Sequence, residues 1–295
     1  MDWRSWFPQK EKYDIDGREV LVINKTSTDF SQLRDVILLV CKTEKMAQHF
    51  PKLTFVIKPH ENLDIFGWTM AGDLIEHKAI IYLNSIIAQK KEEKNYWRSN
   101  IAHELTHLFH DSQTHVIQHN FNTVQRLLTA TSKYKYDDAI VRELLLGFTR
   151  KIFTEGVAFY YETYTAGETI SFNKASFEKN YDYSQKRIKI VMLGISAVIE
   201  NYHHKKAARE LIAALKKQLH IEQYIAGFYL VYAILYVDHN TTFEDILLLQ
   251  PFEFIKKYEQ CMNLKGLQPV ISATSGDGIF DYKKVLATLT AAAKK

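Results

Sequence analysis

Residues 99–111 read SNIAHELTHLFHD, and within them His103, Glu104 and His107 spell HExxH, with His110 completing three histidines and a glutamate in eight positions. The neighbours Ile101, Ala102, Leu105, Leu108 and Phe109 supply an apolar stripe, so the stretch is expected to be a helix over 95–111 started by Asn95 or Ser99. On such a helix residues four apart point nearly the same way, about 6 Å apart along the axis. The imidazoles of His103 and His107 can therefore share one tetrahedral ion. Glu104 is turned by about 100° from His103, off the ligand line but beside the ion, where a carboxylate can take a proton from an activated water and pass it to a leaving amine. Paired helix histidines also occur as ordinary hydrogen-bonded core or surface residues, so the deciding element is a third ligand.

His110 is a poor third ligand, because a straight helix would spread the three rings over about 10 Å, more than one ion spans. A continuation HExxHxxGxxH fails as well: His110 stands at the glycine position and Gln113 at the last histidine. A carboxylate from a later helix is the other solution. FTEGVAFYYE, residues 153–162, offers Glu155, 48 positions after His107. Thr154 could cap that helix, while Gly156 and Ala158 are small where two helices would approach closely.

AHELTHLF (102–109) resembles the active-site helix of the gluzincins, the thermolysin-like zinc metallopeptidases, and TEGVAFYYE (154–162) is similar to the NEGFA type of glutamate helix in their aminopeptidase branch. The resemblance covers roughly residues 65–165. It implies one catalytic Zn2+ held by His103, His107 and Glu155, an open fourth position, and Glu104 as general base. It also implies a zincin-like α+β fold of two lobes: residues 1–165, with a small mixed sheet, the HExxH helix and the glutamate helix, and a mostly helical lobe over 166–295. The two could equally form one continuous catalytic domain. The chain departs from the pattern in its longer spacing to Glu155, in Thr154 where an asparagine is usual, and in Phe159 where an aspartate orients the first histidine. Asp111 or Glu162 would have to supply that partner. FGWTMAG (66–72) precedes the motif helix as the family's substrate-binding edge strand does, which makes Trp68, Thr69, Met70 and Ala71 candidates for pairing with a peptide backbone. Tyr224, in QYIAGFY, is similar to the tyrosine that polarises the scissile carbonyl, although with Tyr229 and Tyr232 it also reads as an amphipathic core stripe. His203, His204 and His239 are further candidates for that donor. No amine-binding GAMEN-type motif is present, so endopeptidase or oligopeptidase action on a peptide or protein is favoured. The competing reading is a catalytically silent zinc-bearing scaffold or peptide-binding protein.

The rest of the chain agrees with a folded protein of ordinary composition: 295 residues, 46% hydrophobic and 24% charged. A net charge of +4 with scattered lysines is no phosphate track, so nucleic acid is not expected as a partner. Cys41 and Cys261 lie outside any CxxC pattern, and reduced thiols are expected. The most apolar stretch, 224–237, is shorter than the ~20 residues of a membrane span and rich in tyrosine. With no signal-like N-terminus, a cytoplasmic protein is expected. REVLVIN, KLTFVIKP, FGWTMAG and KAIIYLN predict a sheet of three or four strands. Helical periodicity takes over from Asn95, with segments at 118–131, 138–152, 155–164, 184–202, 204–218, 221–238 and 251–260, and a connection between lobes at 163–182. Strands before helices point to α+β rather than a βαβ wind. Trp3, Trp6 and Phe7 are expected to anchor the N-terminal tail.

Overall fold

The computed structural model describes residues 8–70, 79–91, 93–113, 150–167, 170, 172–200 and 205–267. The helix expected at 118–131, all but the last three residues of the one expected at 138–152, the tail aromatics Trp3, Trp6 and Phe7, and Ala71, His203 and His204 lie outside them. By internal contacts the chain divides into two units, 1–113 with 161–170, and 114–160 with 171–295.

Among the described residues the first unit is built on a mixed sheet of five strands: β1 (Gln9–Ile15), β2 (Arg18–Asn24), β3 (Lys52–Lys58), β4 (Gly67–Thr69) and β5 (Ile80–Asn84), in the order β1-β2-β3-β5-β4. β1 was not expected, because QKEKYDI is mostly charged. Its signal was the Asp16-Gly17 pair, whose positive φ angles of 53° and 78° make the two-residue hairpin turn that joins antiparallel strands. β2, β3 and β5 run parallel, and β4 is antiparallel to β5. Helix α1 (Ser31–Thr43) with a 3-10 turn (Lys45–His49) connects β2 to β3, so the sheet does contain one βαβ crossover that the strands-first reading overlooked. The mixed sheet followed by helices is otherwise as expected.

Alternation fixes the faces of the sheet. Val20, Val22, Leu53, Phe55, Ile57, Ile81 and Leu83 are buried and fall in register across β2, β3 and β5. They share the core with Leu33, Val36, Ile37 and Val40 of α1 and with Ile101, Ala102, Leu105 and Leu108 of α3 (Lys94–Ser112). Each such side chain contributes about 1.5–3 kcal/mol on leaving water, so α3 is fixed by its apolar side. A short α2 (Ser85–Lys90) begins at Asn84, whose side chain caps it. Asn84 is fully buried and is also a knot for the loop before β4. Its amide donates to the carbonyls of His60, Asn62 and Ile65, its oxygen accepts from the His60 N–H, and its own N–H donates to Phe66 O at 2.7 Å.

Helix α4 (Lys151–Thr165) is shared by the partition, with 151–160 counted in the second unit and 161–165 in the first. Among the described residues the second unit is helical: α5 (Lys174–Glu200), α6 (Lys205–Val237), α7 (Phe243–Leu247) and α8 (Pro251–Leu264). α6 is one helix where two were expected, because nothing between Leu215 and Gln223 breaks it: the segment holds neither glycine nor proline. The expected connection 163–182 shrinks likewise, since α4 ends at Thr165 and α5 starts at Lys174. Leu230, Val231, Tyr232 and Ile234 of α6 and Phe254, Ile255, Tyr258 and Met262 of α8 form its core. Capping boxes at Thr242/Asp245 and Gln250/Glu253 start α7 and α8. No described helix is long and apolar enough to cross a membrane.

Candidate metal centre

α3 spans the expected segment and one residue more at each end, but it is started differently. Glu93 occupies the N-cap position without a side-chain cap bond, Asn95 lies inside the helix, and the Ser99 hydroxyl donates to Tyr96 O. Thr154 is likewise interior to α4 rather than its cap. Neither helix therefore depends on the caps read from sequence. Burial of α3 on several sides holds it instead, with Trp97, Ser99, His103, Glu104, Thr106 and His110 all buried.

The burial that fixes α3 also encloses its polar face. The Nε2 atoms of His103 and His107 stand 3.0 Å apart, their rings nearly perpendicular at 72°. His103 Nδ1 meets a Glu162 carboxylate oxygen at 2.9 Å. That carboxylate holds a proton on Nδ1 and so leaves the Nε2 lone pair facing His107, the tautomer a metal-binding histidine requires. Of the two carboxylates named as its partner, Glu162 is therefore the one that stands against His103. Its charge is felt nearby as well: the Tyr96 phenol on α3 is raised above its ordinary value by burial first and by Glu162 second.

Glu155 lies two helical turns before Glu162 on α4, so both carboxylates share one face of that helix. Ligand atoms of His103, His107 and Glu155 come within 4.8 Å of one another, and they are the set of three potential metal donors found among the described residues. A tetrahedral zinc places two nitrogen ligands about 3.3 Å apart, near the observed histidine separation, and an approach of no more than about 1.5 Å by the carboxylate closes the set. Two neutral imidazoles and one carboxylate are the donor chemistry zinc takes at catalytic sites. The residues fit the ion.

A clamp holds the orienting carboxylate in place. Glu44, buried at the end of α1, accepts from Arg98 Nη2 on α3 at 3.0 Å and from the Tyr161 hydroxyl on α4. Arg98 lies five residues before His103, and Tyr161 immediately precedes Glu162. One buried acid thus fixes the helix ends that bring imidazole and carboxylate together. Nothing in the local sequence around Glu44 announces this role.

Glu104 is 9% exposed and packs against the backbone of Gly67: a methyl group at residue 67 would sit 2.7 Å from Glu104 Cγ and 3.5 Å from Oε1. Gly67 was outside the candidate set, although it begins β4. Among the edge-strand candidates, Thr69 shares the inner face of the sheet with Gly67 by alternation. Trp68 lies on the other face, stacked on Tyr82 with centroids 5.4 Å apart and beside His60 and Lys58. Met70 is exposed. Because the Asn84 N–H bonds Phe66 O, the antiparallel pattern turns Gly67 and Thr69 main-chain groups away from β5, toward the side of β4 on which no described strand pairs.

In the second unit, Gly156 and Gly227 make the close helix crossing expected of a small residue beside Glu155. A methyl group at Gly156 would lie 2.2 Å from Gly227 Cα, and one at Gly227 2.0 Å from Ile152 O. Tyr224, half-buried and three residues before Gly227, meets Phe159 edge-on at 6.2 Å, and Phe159 in turn meets Phe228. It therefore takes part in aromatic packing between α4 and α6, as the core-stripe reading expects. His239 is exposed in the turn after α6, Asp111 is half-buried at the end of α3, and both cysteines are free and buried.

Comparison of the chain with protein-family models, with curated proteins and with solved structures gave no match.

Proposed function

We propose that the protein is a zinc-dependent peptide hydrolase of endopeptidase or oligopeptidase type, with His103, His107 and Glu155 as the residues that hold the ion and Glu104 as the proton acceptor. The observation that carries the reading is the convergence of three donor groups, two of them four residues apart and the third 48 positions later, within 4.8 Å. An accidental HExxH has no reason to find a distant carboxylate, nor a second one 2.9 Å behind its first ring. Zinc, when bound, would supply Lewis-acid polarisation of a water and of the scissile carbonyl.

The side chains would divide the remaining work. Glu162 holds the Nδ1 proton of His103 and keeps Nε2 basic. Glu104, in a setting 9% exposed, holds the proton removed from the nucleophile and delivers it to the leaving nitrogen. The outward main-chain groups of Gly67 and Thr69 offer hydrogen bonds to an extended peptide, which would add to the sheet as a strand beside Glu104.

The test combines metal analysis of the purified chain with Glu104→Gln. The expected result is one zinc per chain in both proteins and peptide cleavage lowered by about 10²–10⁴-fold in the variant. Unchanged cleavage with zinc retained rejects Glu104 as the base. A chain that holds zinc and cleaves no peptide is the silent binding protein instead, and one that takes up no zinc rejects the centre itself.

A further inference from the structure

We propose that Gly67 is a positioning residue for Glu104: the missing side chain at this one place in β4 sets where the carboxylate can sit. The inference rests on the reading of Glu104 as the proton acceptor and adds to it a residue on a different element of the fold.

The argument is steric. A Cβ on Gly67 would lie 2.7 Å from Glu104 Cγ, 3.4 Å from Cδ and 3.5 Å from Oε1. The first distance is shorter than real methyl contacts allow, so something must move. The strand cannot easily retreat. Gly67 is paired in register with Leu83, Phe66 O accepts the Asn84 N–H at 2.7 Å, and the buried Asn84 side chain ties down Ile65 O, Asn62 O and His60. Nor can the helix retreat, because Ile101, Ala102, Leu105 and Leu108 around Glu104 are all fully buried. What remains is rotation of the Glu104 side chain. The contact falls at Cγ, near the root of the side chain, so relief requires a change in the first torsion and swings the carboxylate as a whole. Glycine therefore admits one arrangement of the acid that any larger residue displaces. The same residue turns its N–H and C=O toward the side of β4 on which no described strand pairs, so a peptide backbone received there would lie next to the carboxylate it admits.

The test is a double-mutant cycle on the full chain with Gly67→Ala and Glu104→Ala, read by thermal melting, zinc content and peptide turnover. With Glu104 present, Gly67→Ala is expected to lower the melting temperature by about 2–10 °C, the range for overpacking in a protein of this size. In the Glu104→Ala background, where Cγ is gone, the loss shrinks to near zero. In the same Gly67→Ala protein, kcat falls at least about tenfold, while KM stays within about twofold and zinc content is unchanged. Equal melting losses in both backgrounds, or an unchanged kcat, overturn the proposal. Should Gly67→Ala alone fail to fold, recovery of folding in the double variant supports the contact and failure of both overturns it. A coupled melting cycle in a chain that cleaves no peptide would uphold the steric link while rejecting the hydrolase reading, so the two failures are told apart.

Discussion

At one end of the sheet stands β1, with Lys10, Glu11, Lys12 and Asp14 among its seven residues; at the other stands β4, three residues long and uncharged. Both are terminal among the described strands, and a terminal strand offers unpaired N–H and C=O groups to any passing chain. β1 is guarded. Lys12 pairs with Glu19 across the hairpin, Glu19 pairs also with Lys52 at 2.7 Å, and Glu11 is held by Arg34 of α1 at 3.2 Å. Among the described residues β4 carries no such guard, and its one glycine lies against the buried Glu104. The difference teaches that charge is spent where strand pairing is a hazard and left out where, on the proposed reading, pairing is the function.

The comparison can be broken or sharpened in four ways. The largest effect belongs to the chemistry beside β4. Glu162→Ala removes the partner of His103 Nδ1 and should weaken zinc binding by about 10–100-fold, measured by competition with a chelator; undiminished affinity would remove Glu162 from the account of the centre beside β4. Next comes the strand itself. In Thr69→Pro the lost N–H points away from β5, so the ladder survives and a peptide loses one hydrogen bond. KM should rise by about 2–10-fold with the melting temperature nearly unchanged. An equal effect from Lys12→Thr on β1 would make the two ends equivalent. Third, Lys10→Val with Lys12→Val strips the guard from β1. Self-association should then begin at several-fold lower protein concentration by light scattering, whereas a monomer as persistent as the parent would show that the charges guard nothing.

The smallest effect is electrostatic. Hydrogen bonds first from Lys12 and then from Lys52 hold Glu19 down at about 2, against an ordinary value near 4.5. A depressed carboxylate contributes its stability in full above the ordinary value and loses it as pH falls from about 4.5 toward 2. Glu19→Gln should therefore flatten that part of the melting-temperature profile, the small loss falling at neutral pH and vanishing as pH approaches about 2, its size limited because the pairs are exposed. A profile unchanged by the substitution would remove Glu19 from the account of β1.

Much of this was legible because it depends on short-range spacing. Two histidines four apart must share a helix face whatever the rest of the chain does, and Glu155 with Glu162 seven apart must share another. The strands β2 to β5 and the body of α4 followed from periodicity, although α4 runs on through residues 153–154, where a break between two helices was expected. β1 escaped because its residues are charged, which is the mark of a guarded edge rather than a buried strand. The caps read at Asn95, Ser99 and Thr154 all lie inside their helices, Ser99 six positions after the N-cap residue Glu93, because burial on several sides rather than capping holds α3. The strands-first pattern hid the crossover through α1, since parallel pairing is a property of the sheet and leaves no local signature.

The sequence by itself determined which groups were available: a pair of imidazoles, a glutamate between them in the chain and a later carboxylate, each on an element whose period is written in the chain. Only the tertiary structure decided that Glu162 rather than Asp111 stands behind His103, that Glu44 joins Arg98 to Tyr161, and that Gly67 faces Glu104. The physical reason is that each of these contacts joins residues between 37 and 117 positions apart. Their meeting is fixed by how sheet and helices pack, and no periodicity along the chain records it.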